Sequence, residues 1–175
     1  MAIQLRYRSP TGETRPWTLK EIIQGKPINR PTHPMLVHFP IAFYFGALAL
    51  DIMSRVATFP SAPLAATWAI LGALAATVGA ATTGLADWAT IRRGSRAKAL
   101  ANRHLLLQLT VAAVFVVVLA LRWGDRHRPE ANVLWIVLEA IAVAILIVAA
   151  DLGGRLVYWI GMRVGSETAT PGGSV

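Results

Sequence analysis

Cysteine is absent from this 175-residue chain. That excludes disulfides, thiolate metal ligands, c-type haem attachment and Cys-ligated iron–sulfur clusters. Acidic residues are scarce, nine Asp and Glu against seventeen Lys and Arg, for a formal charge of +8. Such an excess can mark a nucleic-acid binder, but here the basic residues sit in short segments flanking apolar runs. There they serve as orientation signals and contacts to anionic lipid, so nucleic-acid binding is excluded. The first 34 residues are polar and proline-rich, with no short apolar core and no A-x-A site, so no cleaved signal peptide is expected. The remainder is short of polar surface: the chain is 55% hydrophobic with a mean hydropathy of +0.52. It is too apolar for an ordinary soluble domain and ample for four membrane helices in one domain.

Residues 1–32 read as a leader with a short surface helix. Thr18-Leu19-Lys20-Glu21 fits a capping box, and Leu19, Ile22 and Ile23 give an amphipathic turn that Gly25 and Pro27 stop. Disorder is the competing reading of this stretch. Residues 33–165 form the membrane domain, with helices expected over 34–55, 65–87, 104–121 and 133–151, each long enough for a hydrocarbon core of roughly 30 Å. Pro40 lies inside the first and predicts a bend beside His38. Gly72, Ala76, Ala80 and Gly84 put small residues at four-residue spacing on the second, a seam for close helix approach. His127 reads as a solvated loop residue, and residues 166–175 as a disordered tail. The fold class is an all-α integral membrane four-helix bundle.

Lys and Arg set the orientation. The leader carries six, the segment 88–103 five and the tail two, against four on the other side: Arg55, Arg122, Arg126 and Arg128. The positive-inside rule then places both termini in the cytoplasm of a bacterial inner-membrane protein. On that side His33 and His38 open the first helix, Asp87 closes the second, His104 opens the third and Asp151 closes the fourth. His104 and Gln108 share a face, and Arg155 and Tyr158 join Asp151's face if helix continues through Gly153-Gly154. The two halves look alike: Thr67-Trp68-Ala69-Ile70-Leu71 resembles Leu134-Trp135-Ile136-Val137-Leu138. A duplicated two-helix hairpin in this register sets His38 opposite His104.

The segments His33-Pro34-x-Leu36-Val37-His38-Phe39-Pro40-Ile41, Gly84-x-x-Asp87, His104 and Asp151-x-Gly153-Gly154-x-Leu156-Val157-Tyr158-x-x-Gly161 resemble the bacterial membrane proteins of domain of unknown function 2231. The resemblance covers roughly Lys20 to Gly161. Many members read Gly-His-Pro-x-His-Pro, whereas this chain has Asn29-Arg30-Pro31 before Thr32, so any role of that extra histidine is missing here. Some members are fused to Rieske-type or cytochrome domains, which implies redox company.

Several functions compete for these residues. Imidazoles on facing helices can supply both axial ligands of a b-type haem, here His38 and His104, with Arg30 or Arg103 meeting the propionates and electron transfer as the activity. The bland counterpart has His33 capping a helix, His38 bonded to Asp87 or Asp151, and His104 at the interface. It makes the chain a non-catalytic subunit or scaffold, with lipid and another membrane subunit or redox protein as partners. A membrane hydrolase with zinc or iron on His33, His38, His104 and Asp87 or Asp151 is a third reading. It is weakened by the roughly 140° between His33 and His38 on an unbroken helix and by the lack of an obvious serine nucleophile. Asp51 and Glu139 form an outer pair that suits proton passage, or else Asp51 pairs with Arg55 at i, i+4 while Glu139 is protonated or hydrogen-bonded in the bundle.

Overall fold

The computed structural model describes residues 7–8, 12, 14–28 and 30–162. The tail from Ser166 lies outside them. The architecture is all-helical, with four long apolar helices packed as a bundle. Four stretches are long and apolar enough to cross a membrane: Thr32–Val56, Ala62–Trp88, Arg96–Arg122 and Val133–Tyr158.

A two-residue antiparallel pair, β1 (Tyr7–Arg8) and β2 (Thr14–Arg15), precedes α1 (Leu19–Ile23). The capping box is present: the Glu21 amide donates to Thr18 Oγ1 at 3.3 Å and the Thr18 amide donates to Glu21 Oε2 at 3.1 Å. Both Arg15 Nη atoms donate to the same carboxyl at 2.8 Å, and this guanidinium, with the cap, holds Glu21 well below the usual carboxylate range. The leader is tied to the bundle rather than free. Buried Gln24 donates through Nε2 to Ala86 O at 2.9 Å and to Asp87 Oδ1 at 3.0 Å. Gly25, at φ +75°, then turns the chain so tightly that a Cβ would collide with the Arg30 carbonyl.

The first span is two helices, α2 (Thr32–Leu36) and α3 (His38–Val56), separated at Val37. Pro40 has no amide to give the Leu36 carbonyl, so the break falls one turn before the proline. The helix α4 (Ala62–Trp88) carries Pro63 in its first turn, where a missing amide costs nothing. Ser95 caps α5 (Arg96–Arg122) by accepting from the Lys98 amide at 3.1 Å, which starts that helix eight residues before the expected His104. Asn132 caps α6 (Val133–Tyr158), which runs through Gly153-Gly154 to Tyr158 instead of ending at Asp151. Packing against α5 outweighs the weak helix propensity of the glycines.

The bundle is two hairpins, α3 with α4 and α5 with α6, each packed far more closely within itself than against the other. Their buried and half-buried positions repeat. In the first helix of each, His33 corresponds to His104, Tyr44 to Phe115, Ala47 to Val118 and Asp51 to Arg122, always 71 residues apart. In the second helix and the residue before its cap, Ala62 corresponds to Ala131, Ala73 to Ala142, Ala80 to Ala149 and Gly84 to Gly153, always 69 apart. Equivalent residues meet where the hairpins join: the Tyr44 and Phe115 rings stack with centroids 4.1 Å apart, and Arg122 binds Asp51. The register expected from the tryptophans does not describe the packing. Trp68 is 62% exposed while Trp135 is 3% exposed, and His33, not His38, is the counterpart of His104.

Candidate functional site

At the end of the bundle that carries the leader, a slot of about 160 Å³ opens between the hairpins. It extends from Tyr44 and Thr77 at mid-bundle to Asp87 and Trp88, is walled mainly by aliphatic side chains, and includes His33, His104 and Gln108 among its lining. Its few polar groups in a concave apolar wall are what a ligand site requires.

The two imidazoles are held alike. His33 Nδ1 lies 2.9 Å from Ala80 O and His104 Nδ1 lies 2.8 Å from Ala149 O. A carbonyl only accepts, so in each ring the Nδ1 carries a proton and donates it. In the neutral ring that leaves Nε2 with a lone pair. No hydrogen bond reaches either Nε2 among the described residues. Each ring also lies against a glycine: a Cβ on Gly84 would sit 2.8 Å from His33 Cε1, and one on Gly153 would sit 3.0 Å from His104 Cε1. The small residues of α4, read as a seam for a helix, leave room for a histidine at Gly84 and for the Phe43 ring at Gly72.

Other residues singled out from the sequence lie elsewhere. His38 is exposed, its Nδ1 3.3 Å from Met35 O, and it does not line the slot. Arg30 and Arg103 are exposed at the same end of the bundle. Asp151 turns outward into an i, i+4 ion pair with Arg155 at 2.8 Å, and Tyr158 is 83% exposed. Asp87 lines the slot while accepting from Gln24. Among the described residues no three histidine or carboxylate side chains converge as a metal would need, so His33, His38, His104, Asp87 and Asp151 are not brought together as one ligand set.

The far end of the bundle holds a cluster that the sequence showed only in part. Arg122, counted as a loop residue, has a fully buried side chain. Its Nη2 donates to Asp51 Oδ1 at 2.9 Å and Pro63 O at 2.8 Å, and its Nη1 donates to Asp51 Oδ2 at 2.8 Å and Glu139 Oε1 at 2.9 Å. The guanidinium carbon lies 4.9 Å from the centre of the Trp135 ring. Asp51 therefore pairs with Arg122 and not with Arg55, which instead bridges to Glu130 at 3.2 Å and donates to Ala131 O at 3.0 Å. One arginine thus joins all four long helices.

A family model described as a predicted membrane protein, DUF2231, matches residues 29–166. The chain belongs to this family. The match takes in both slot histidines, their glycines and the Asp51–Arg122–Glu139 cluster, while Gln24 and the capped leader helix lie before it. No curated protein and no solved structure matches this DUF2231 chain.

Proposed function

We propose that this protein is a redox-associated membrane component that holds a haem b between His33 and His104. The observation that carries this reading is the paired Nδ1–H bond to a backbone carbonyl, which fixes each ring's tautomer and leaves Nε2 as the donor atom at an apolar slot. Orientation of a ligating imidazole through its other nitrogen is the usual outer-shell arrangement of metal-binding histidine. The two imidazoles would hold the haem, and Arg30 and Arg103, exposed at the same end of the bundle, would meet its acidic groups. The slot of about 160 Å³ is smaller than a macrocycle, so what fits the group is the pair of imidazole donors and their apolar surroundings. When bound, the haem supplies one-electron chemistry. The chain's own part is to orient two imidazoles through Nδ1 and to keep water away from them.

The test is an absorption spectrum of the protein purified in detergent after expression with ample haem. A Soret band is expected, lost in His33→Ala and in His104→Ala and retained in His38→Ala. A colourless protein, or a band that depends on His38 instead, overturns the assignment. The second reading, a scaffold, is favoured by the cross-links themselves, because the two histidines tie each hairpin together whether or not they hold a ligand. It predicts no chromophore and a similar loss of stability in both alanine variants.

The proposal includes a bacterial cytoplasmic membrane with the histidine end inside. Burial of Arg122 sharpens the charge asymmetry, leaving only Arg55, Arg126 and Arg128 at the opposite surface. Because the chain lacks cysteine, single substitutions report orientation cleanly. In intact cells an impermeant thiol reagent is expected to label His127→Cys and to spare Thr18→Cys. The reverse pattern inverts the topology.

A further inference from the structure

The charge cluster at the far end of the bundle does not balance. It contains one guanidinium and two carboxyls, all with side chains of 0% exposure, so with every group ionised a net negative charge would be sealed inside a membrane span. The hydrogen bonds show which carboxyl the arginine neutralises. Asp51 receives one bond on each oxygen from the two Nη atoms, the bidentate geometry of a complete ion pair. Glu139 receives on Oε1 alone, from an Nη1 hydrogen-bonded to Asp51 as well, and its Oε2 is buried with no hydrogen-bond partner among the described residues.

Among the described residues no other cation pairs with the second carboxyl. From α4 the cluster meets the Pro63 carbonyl, which also accepts from the Thr67 hydroxyl at 2.8 Å. From α6 it meets the Trp135 ring, and from α3 Ser54, whose hydroxyl donates to the Asp51 carbonyl at 2.7 Å. Arg55 and Glu130 pair with each other at the surface. The two carboxyl oxygens that share Nη1 are each within 2.9 Å of it, so both carboxyls lie in one small space.

We infer that Asp51 and Glu139 hold one proton between them at neutral pH, carried on Glu139, and that the cluster is a proton-binding site of the membrane domain. A single proton removes the excess charge and accounts for the oxygen that no donor reaches. Two carboxyls crowded into one apolar space behave as a unit with one shared proton, the general behaviour of such dyads. This inference is independent of any ligand in the histidine slot.

Infrared spectra of the protein in lipid at neutral pH test it, since every ordinary carboxyl is then ionised. A protonated-carboxyl stretch that shifts in heavy water is expected. It should vanish in Glu139→Gln, and also in Asp51→Asn, where Glu139 becomes the sole counterion of Arg122 and gives up its proton. Glutamine has the shape of the protonated acid, so Glu139→Gln should leave the melting temperature unchanged while Asp51→Asn lowers it. Absence of the band in the unaltered protein, its survival in Glu139→Gln, or a Glu139→Gln variant that melts lower than Asp51→Asn or fails to fold would each overturn the assignment.

Discussion

Replacing Arg122 by alanine is expected to cost the bundle about 3–5 kcal/mol, the range for breaking a buried ion pair from one side. Against a total of about 5–15 kcal/mol, that removes roughly a fifth or more of the stability of an ordinary domain. The loss arises less from the missing attraction than from what stays behind. Asp51 loses all the donors its two oxygens have from the guanidinium, and Glu139 loses its only one, both inside a span where water cannot substitute. The Pro63 carbonyl also gives up the guanidinium donor, and the hairpins lose a buried link between them. A titration of folded protein in mixed detergent micelles measures this directly. Removing all three polar groups together, as Arg122→Met with Asp51→Leu and Glu139→Met, should recover most of the loss, because an apolar core of similar volume carries no desolvation cost. A triple variant no more stable than Arg122→Ala would show that the cost lay in packing and not in stranded charge.

This cluster also marks where the sequence stops being informative. The spans are legible because hydropathy along one helix suffices to find them, and the capping box of α1 is legible because all its partners lie within four residues. Arg122 is different. It sits at the end of an apolar run, where an arginine ordinarily belongs to the loop, and nothing local separates it from Arg126 or Arg128. Asp51 compounds the error, because Arg55 at i+4 satisfies the familiar helical pairing rule while the true partner is 71 residues away. Which arginine it meets is decided by how three helices pack.

Which of His33 and His38 lines the slot was hidden in the sequence for a related reason. On a continuous helix the later histidine is the one embedded in the span. The break at Val37 turns the short α2 inward and leaves His38 exposed. The sequence does contain the signal that matches His33 with His104. His33, Ala80 and Gly84 recur as His104, Ala149 and Gly153, a histidine with a small residue and then a glycine four positions on in the next helix. Matching tryptophans hid it, since Trp68 faces outward and Trp135 faces the core.

That repeat leads to the second large effect, at the glycines. Alanine at Gly84 or Gly153 places a methyl group 2.8 Å or 3.0 Å from the Cε1 atom of His33 or His104, well inside van der Waals contact. A flexible side chain would swing aside, but each ring is tethered through Nδ1 and moves only by giving up its bond to Ala80 O or Ala149 O. Overpacking of this kind costs about 1–3 kcal/mol, and the forfeited hydrogen bond about 1 kcal/mol more. Alanine's better helix propensity returns at most about 1 kcal/mol. Gly79 and Gly154 provide the controls, since a Cβ at either meets nothing within 4 Å and only the propensity gain applies. Gly84→Ala and Gly153→Ala should therefore fall below Gly79→Ala and Gly154→Ala by about 2 kcal/mol or more in the same unfolding titration. Each should also weaken any Soret band in step with the corresponding histidine substitution, since a ring pushed off its carbonyl no longer presents Nε2 to the slot. If all four alanine variants proved equally stable, the glycines would not be making room for the rings, and the paired-imidazole geometry behind the proposed site would fall with them.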